Sequence, residues 1–198
     1  MAGSVVVLNL AGPCMLFFAA AIRSSMGKPV FFRQARAGKN GVSFDLLKFR
    51  SMKLNRLSVA EMGVIKQDHP MVTPLGRILR RFKIDELPQL LNVLKGEMSL
   101  VGPRPTVPEQ VDEYTEFQRR RLNVRPGITG WAQINGNTSL SWEDRIRLDV
   151  WYVDNWSLGM DLRILLETMA TVIRGERVNE KRLEEAKRHE SDLGRSGR

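Results

Sequence analysis

The sequence predicts a single α+β domain, mostly helical with a small β-hairpin element, that follows an apolar N-terminal helix. Three observations carry this. Leu75, Ile78, Leu79 and Phe82, then Leu87, Leu90, Leu91 and Leu94, recur at three- and four-residue steps, which is helical periodicity. Residues 29–52 instead hold two runs rich in β-branched and aromatic residues, VFFRQ and VSFDLLKF. They are joined by ARAGKNG, a turn with Gly38 and Asn40-Gly41. Residues 5–22 are almost wholly apolar. The chain of 198 residues is long enough for one sizeable core, and 42% hydrophobic with 27% charged content excludes a disordered polymer. A formal net charge of +9 implies an anionic partner: nucleic acid, phospholipid headgroups or a phosphorylated substrate. The one cysteine, Cys14, excludes an internal disulfide, and His69 and His189 lie too far apart to resemble a zinc site.

Taken in order, the apolar run Val5 to Ile22 is broken by Asn9 and Gly12-Pro13. Eighteen helical residues rise about 27 Å, marginal against a hydrocarbon core of about 30 Å. Three readings compete: a kinked transmembrane helix, a secretory signal ending at Ala19-Ala20-Ala21, and a re-entrant hairpin bent at Gly12-Pro13. The signal lacks Lys or Arg in its n-region. Arg23, Lys28, Arg33, Arg36 and Lys39 follow the run and place that end on the cytoplasmic side. In the hairpin, Val42, Phe44, Leu46 and Lys48 share one face by period-two alternation. Lys48 ends that face and either snorkels to water or reaches into a site. The polar stretch Lys53 to Met71 reads as an irregular loop. Thr73 to Lys83 reads as a short basic amphipathic helix, suited to a headgroup layer or to an ordinary solvated surface.

The stretch from Arg80 to Pro105, RRFKIDELPQLLNVLKGEMSLVGPRP, organises the chain. Asp85-Glu86 follow four cations, Arg77, Arg80, Arg81 and Lys83. Pro88 is tolerated only in the first turn of the helix behind them, so the acids sit at or beside its N-terminus. Adjacent helical side chains point about 100° apart, so the two carboxylates can address different things, such as a phosphorus atom and a metal ion. The plainer alternative is that both complement the helix dipole. Gly102-Pro103-Arg104-Pro105 is a rigid turn able to hold a guanidinium against a phosphate. Val107 to Leu122 reads as one helix, acidic early and ending in Arg119-Arg120-Arg121. In VRPGITGWAQINGN (residues 124–137) the glycines serve turns or let amides approach a phosphate, and Trp131 has the surface to stack on a base. Trp142, Trp151, Tyr152 and Trp156 fit a core or a membrane-interface belt. Asp161 to Arg174 is an apolar-faced helix too short to span a bilayer. After Gly175 the chain reads as a solvated or frayed charged tail.

DELPQLLNVLKGEMSLVGPRP, VRPGITGWAQINGN and LDVWYVDNWSLGMDLRIL together closely resemble the bacterial sugar transferase family, the monotopic polyprenyl-phosphate phosphoglycosyl transferases. The resemblance covers about residues 29–174. It implies a re-entrant membrane helix over residues 1–25, a catalytic domain over 26–175 and a charged tail over 176–198, on the cytoplasmic face of a bacterial inner membrane. It also implies transfer of a sugar-1-phosphate from a UDP-sugar to polyprenyl phosphate, with release of UMP. Asp85 would be the nucleophile, and Glu86 would hold the cofactor Mg²⁺. Lys48 in LLKFRSM, Arg80 five residues before Asp85, Arg104 and Arg125 would bind phosphate. Family members usually carry a basic and aromatic stretch ahead of the apolar run, which this sequence does not include. Two other classes compete: a basic nucleic-acid-binding module, for which no recognised motif is present, and a silent membrane scaffold, against which both acids stand intact. Neither the sugar nor the oligomeric state is legible.

Overall fold

The computed structural model describes residues 2–53 and 69–196, with side chains described from residue 12 to 194 within those spans. Most of the loop expected over 53–71 lies outside the described residues. The chain is mostly helical and forms two compact units, residues 1–34 with 46–91, and residues 35–45 with 92–198.

The first unit is built on α1, Ala2–Met26, and the helix runs through Gly12 and Pro13 as one element. The break expected there is not observed: a proline removes one hydrogen bond, which strains a helix without obliging it to end. Met15 and Ile22 are buried from this helix, with Phe18, Ala19 and Met26 partly so, a single stripe by helical spacing. The stripe packs on Phe49 and Leu79, with Leu75, Ile84, Leu87 and Leu91 around them. Leu16 and Phe17, on the opposite side, stay exposed. Gly27 is left-handed (φ 74°) where the helix stops. The buried guanidinium of Arg50 then donates to the carbonyls of Met26, Gly27 and Lys28, a cation on the negative end of the helix. Among the described residues no helix is long and apolar enough to cross a membrane.

The hairpin is present, with β1 at Phe31–Ala37, a 3-10 turn at Lys39–Gly41 and β2 at Ser43–Phe49. Its ends belong to the first unit and its turn to the second. Asn40 (φ 56°) and Gly41 (φ 77°) turn the chain in the left-handed region, as an Asn-Gly pair does readily. After β2, Thr73 caps α2, Pro74–Arg81, accepting a bond from Gly76 N with proline at the first helical position. A 3-10 turn at Ile84–Glu86 and α3, Gln89–Leu94, follow.

The second unit pairs β3, Ser99–Val101, in parallel with β4, Gly127–Thr129. The two segments cross through glycines: a Cβ on Gly127 would lie 2.1 Å from the Gly102 amide, and one on Gly130 2.1 Å from the Gly102 carbonyl. The glycine-rich stretch therefore serves close backbone packing. The helix expected over 107–122 is instead α4, Pro108–Asp112, and α5, Glu116–Arg119, with a 3-10 turn at Arg120–Asn123. Thr115 and Gln118 form a reciprocal capping box that starts a new helix and stops the old one.

Beyond β4 come α6, Trp131–Ile134, α7, Trp142–Asp154, α8, Leu158–Arg174, and α9, Glu180–Ser196. Their core holds Trp131, Leu148, Tyr152 and Ile164, each such side chain contributing about 1.5–3 kcal/mol through burial. The expected frayed tail is corrected. Leu183 and Ala186 of α9 lie in that core, and Arg182 forks onto Glu167 while its guanidinium covers Trp131 at 4.4 Å. Trp131, stacked on Trp151 and buried, is not placed to stack on a base. Along α8, Leu158, Leu162, Leu166, Met169 and Ile173 form an exposed apolar stripe.

Candidate active site

The site in the first unit begins with β2. Alternation buries Phe44 and Leu46 and points Lys48 the same way, as its period requires. Lys48 does not snorkel to water. Its Nζ donates to Glu86 Oε1 at 2.7 Å, with 20% of the lysine side chain and 8% of the glutamate side chain exposed.

Just past β2, Ser51 seats α2. A Cβ on Gly76 would lie 1.9 Å from the Ser51 carbonyl, so only glycine allows this approach. The Arg80 Nε then donates to Ser51 Oγ at 2.9 Å, and its Nη2 contacts Met52 Sδ. The helix closes on Lys83, a left-handed residue (φ 57°, ψ 19°) that turns the chain into Ile84–Glu86. Ile84 and Leu87 pack into the core, which anchors the turn on both sides of the acids.

Asp85 and Glu86 are both buried. The Asp85 carboxylate makes no hydrogen bond or ion pair with any described residue. Burial pushes its pKa above the ordinary carboxylate range, and the Glu86 charge adds to this, while Lys48, Arg80 and Lys83 pull it back. Burial also lowers the Arg80 pKa, against the Asp85 charge, which raises it. A raised pKa from burial and a neighbouring acid, amid cations, marks a reactive carboxylate more readily than a surface one.

Of the six site residues expected from sequence, Lys48, Arg80, Asp85 and Glu86 fall together in this unit. Arg104 and Arg125 belong to the second unit, on segments that run side by side, with Gly127 N donating to the Pro103 carbonyl. Arg104 is half-buried and Arg125 exposed. Sequence reasoning missed Ser51 and Arg50, whose LLKFRSM context drew attention to the lysine alone. It also missed buried Arg121, hidden in a triple arginine run. Among the described residues no group of three or more His, Cys, Asp or Glu could hold a metal ion. Asp85 and Glu86 are nonetheless hard oxygen donors, and Mg²⁺ is commonly held by one or two carboxylates plus substrate phosphates.

Comparison with known proteins identifies the family. The bacterial sugar transferase family model matches residues 1–175. The chain is 48% identical to the uncharacterized sugar transferase EpsL of Bacillus subtilis, over 91% of this chain and 88% of that one. It is 40% identical to the exopolysaccharide production protein ExoY of Rhizobium meliloti, over 87% of this chain and 82% of that one. With the undecaprenyl-phosphate galactose phosphotransferase of Salmonella typhimurium it shares 36% identity over 86% of its own length, spanning 39% of that protein. Matched by the family model over residues 1–175 and by a relative over 91% of its length, this chain belongs to the bacterial sugar transferase family.

Proposed function

We propose that the protein transfers a sugar-1-phosphate from a UDP-sugar to polyprenyl phosphate, such as undecaprenyl phosphate, through a covalent intermediate on Asp85. The observation that carries this is the Asp85 carboxylate itself, buried among Lys48, Arg80 and Lys83 and hydrogen-bonded to no described residue. In the first half-reaction an Asp85 oxygen attacks the β-phosphorus. An acyl phosphate bond forms, the β-phosphorus–oxygen bond to UMP breaks, and UMP leaves with the electron pair. In the second, a polyprenyl phosphate oxygen attacks the same phosphorus and releases Asp85 as carboxylate. The three cations favour the ionised carboxylate the first step needs and offset the diphosphate charge.

Mg²⁺ held by Glu86 would supply charge neutralisation at the diphosphate. Lys48 orients Glu86 by its 2.7 Å contact. Arg104 and Arg125 bind phosphate in this reading. Relatives named as undecaprenyl-phosphate galactose and N-acetylgalactosamine phosphotransferases, and as exopolysaccharide production proteins, support the substrate class and a place in glycoconjugate assembly. The exposed apolar residues of α1 and α8 support association with the cytoplasmic leaflet of the inner membrane. In the topology we favour, both termini stay on the cytoplasmic side.

The test is UMP release from a panel of UDP-sugars with undecaprenyl phosphate and Mg²⁺. Without the lipid, UMP appears in a burst close to stoichiometric with enzyme, and intact-protein mass spectrometry finds a phosphosugar on the peptide containing Asp85. Intersecting rather than parallel kinetic lines, with no adduct from a confirmed substrate, would overturn the covalent route.

A further inference from the structure

The turn at residues 102–105 contains two prolines, so two of its amides have no hydrogen to donate; the Gly102 amide donates to Thr129 O at 2.9 Å, and beyond it the turn is held by carbonyls. Four consecutive carbonyls are occupied. That of Pro103 accepts from Gly127 N at 2.9 Å, that of Pro105 from Arg36 Nη1 at 3.4 Å, and that of Thr106 from Ala37 N at 2.8 Å. The carbonyl of Arg104 is taken by a charged side chain, Arg121 Nη2, at 2.7 Å.

Both terminal nitrogens of Arg121 are engaged. Its Nη2 also meets Asp149 Oδ2 at 2.6 Å, its Nη1 donates to the Tyr114 hydroxyl at 2.6 Å, and Trp142 lies under the guanidinium at 5.6 Å. Arg121 is 4% exposed and Asp149 2%. Burying such a pair is expensive, and well-packed apolar side chains often serve stability as well or better. A charged brace in the core that ends on one backbone carbonyl is explained by what that carbonyl carries. We infer that Arg121, paired with Asp149 and Tyr114, is the positioning residue for Arg104 and sets the direction in which Arg104 meets a phosphate ligand. This rests on the reading that Arg104 binds phosphate. The brace works because an ion pair with three fixed partners leaves the guanidinium one orientation, and a displacement of about 1 Å at such a contact can cost a hundredfold.

A double-mutant cycle on the full chain, read as affinity for UDP with Mg²⁺, separates this role from plain core stability. Arg104→Ala weakens UDP binding about tenfold or more. Asp149→Asn, which keeps the shape and removes the countercharge, also weakens it about tenfold. In the Arg104→Ala background Asp149→Asn causes no further loss, because the residue it positions is gone. Losses that multiply would overturn the inference and leave Arg121 a core residue. An Arg104→Ala protein that binds UDP normally would instead sink the phosphate role of Arg104, a different failure. Should Asp149→Asn not fold, Tyr114→Phe removes one of the three bonds without unpairing a charge and completes the same cycle. Failure of both variants to fold would likewise assign the brace to stability alone.

Discussion

Asp85 and Asp149 are both buried carboxylates near several cations, and they are held in opposite ways. Asp149 lies 2.6 Å from Arg121, inside a wall of Tyr114 and Trp142. Arg121 stays charged there: burial works against it, but the Asp149 and Tyr114 contacts outweigh that and raise its pKa. Asp85 has Lys48, Arg80 and Lys83 within electrostatic reach, yet Lys48 contacts Glu86 and Arg80 contacts Ser51. Asp149 has one oxygen, Oδ2, taken up by the guanidinium and its charge offset by that cation. Burial pushes both carboxyls above the ordinary carboxylate range; what differs is that the Asp85 carboxylate, hydrogen-bonded to no described residue, keeps its lone pairs for an electrophile. The difference separates a structural acid from a reactive one.

The largest effect should come from exchanging carboxylate for amide at the reactive one. Asp85→Asn abolishes turnover in the UMP-release assay, a loss of at least about 10³-fold expected of a nucleophile. Large residual activity would remove Asp85 from that role. Glu86→Gln is also nearly inactive, because the Lys48 contact and a hard ligand are both weakened.

Breaking the other pair acts on stability. Arg121→Met leaves Asp149 buried and unpaired and costs about 3–5 kcal/mol in denaturant unfolding. A cost below about 1 kcal/mol would show that water reaches Asp149.

Gly76→Ala tests how Arg80 is aimed. The added Cβ would meet Ser51 O at 1.9 Å, so α2 must shift and carry Arg80 with it. Activity falls about tenfold to a hundredfold, and unchanged kcat/KM would free Arg80 from any positional demand.

The smallest effect carries the opposite sign. Because burial and the Glu86 charge raise the Asp85 pKa in the folded protein, ionising it costs stability. Asp85→Asn removes that cost and stabilises the protein by about 1 kcal/mol at neutral pH. The gain is absent well below pH 4, where wild-type Asp85 is protonated folded or unfolded; it opens as pH rises past the ordinary carboxylate value of about 4 and is complete above the raised folded value. Equal melting temperatures for the two proteins at pH 4 and pH 7 would contradict it.

Local rules of the chain determined the hairpin at Asn40-Gly41, the proline-led helix after Thr73 that carries Leu75, Ile78 and Leu79, and the helical span Asp161 to Arg174. Each depends on residues a few positions apart, and period and capping are written at that range. The capping box at Thr115 was equally local and legible, but the acidic-to-basic gradient across residues 107–122 suggested one helix and concealed it. Asp85-Glu86 stood out for the same reason that local patterns do, as adjacent acids after a run of cations. What tertiary structure alone decided is which cation meets which acid. Lys48 and Glu86 are separated by 38 residues, and Arg121 and Asp149 by 28. No spacing in the chain distinguishes Arg121 from Arg119 and Arg120; only the core closing over one of the three does so. The charged segment after Gly175 shows this most clearly. Two small apolar residues, Leu183 and Ala186, and one stacked arginine dock a helix whose composition reads as solvent-facing, because burial depends on the surface it meets.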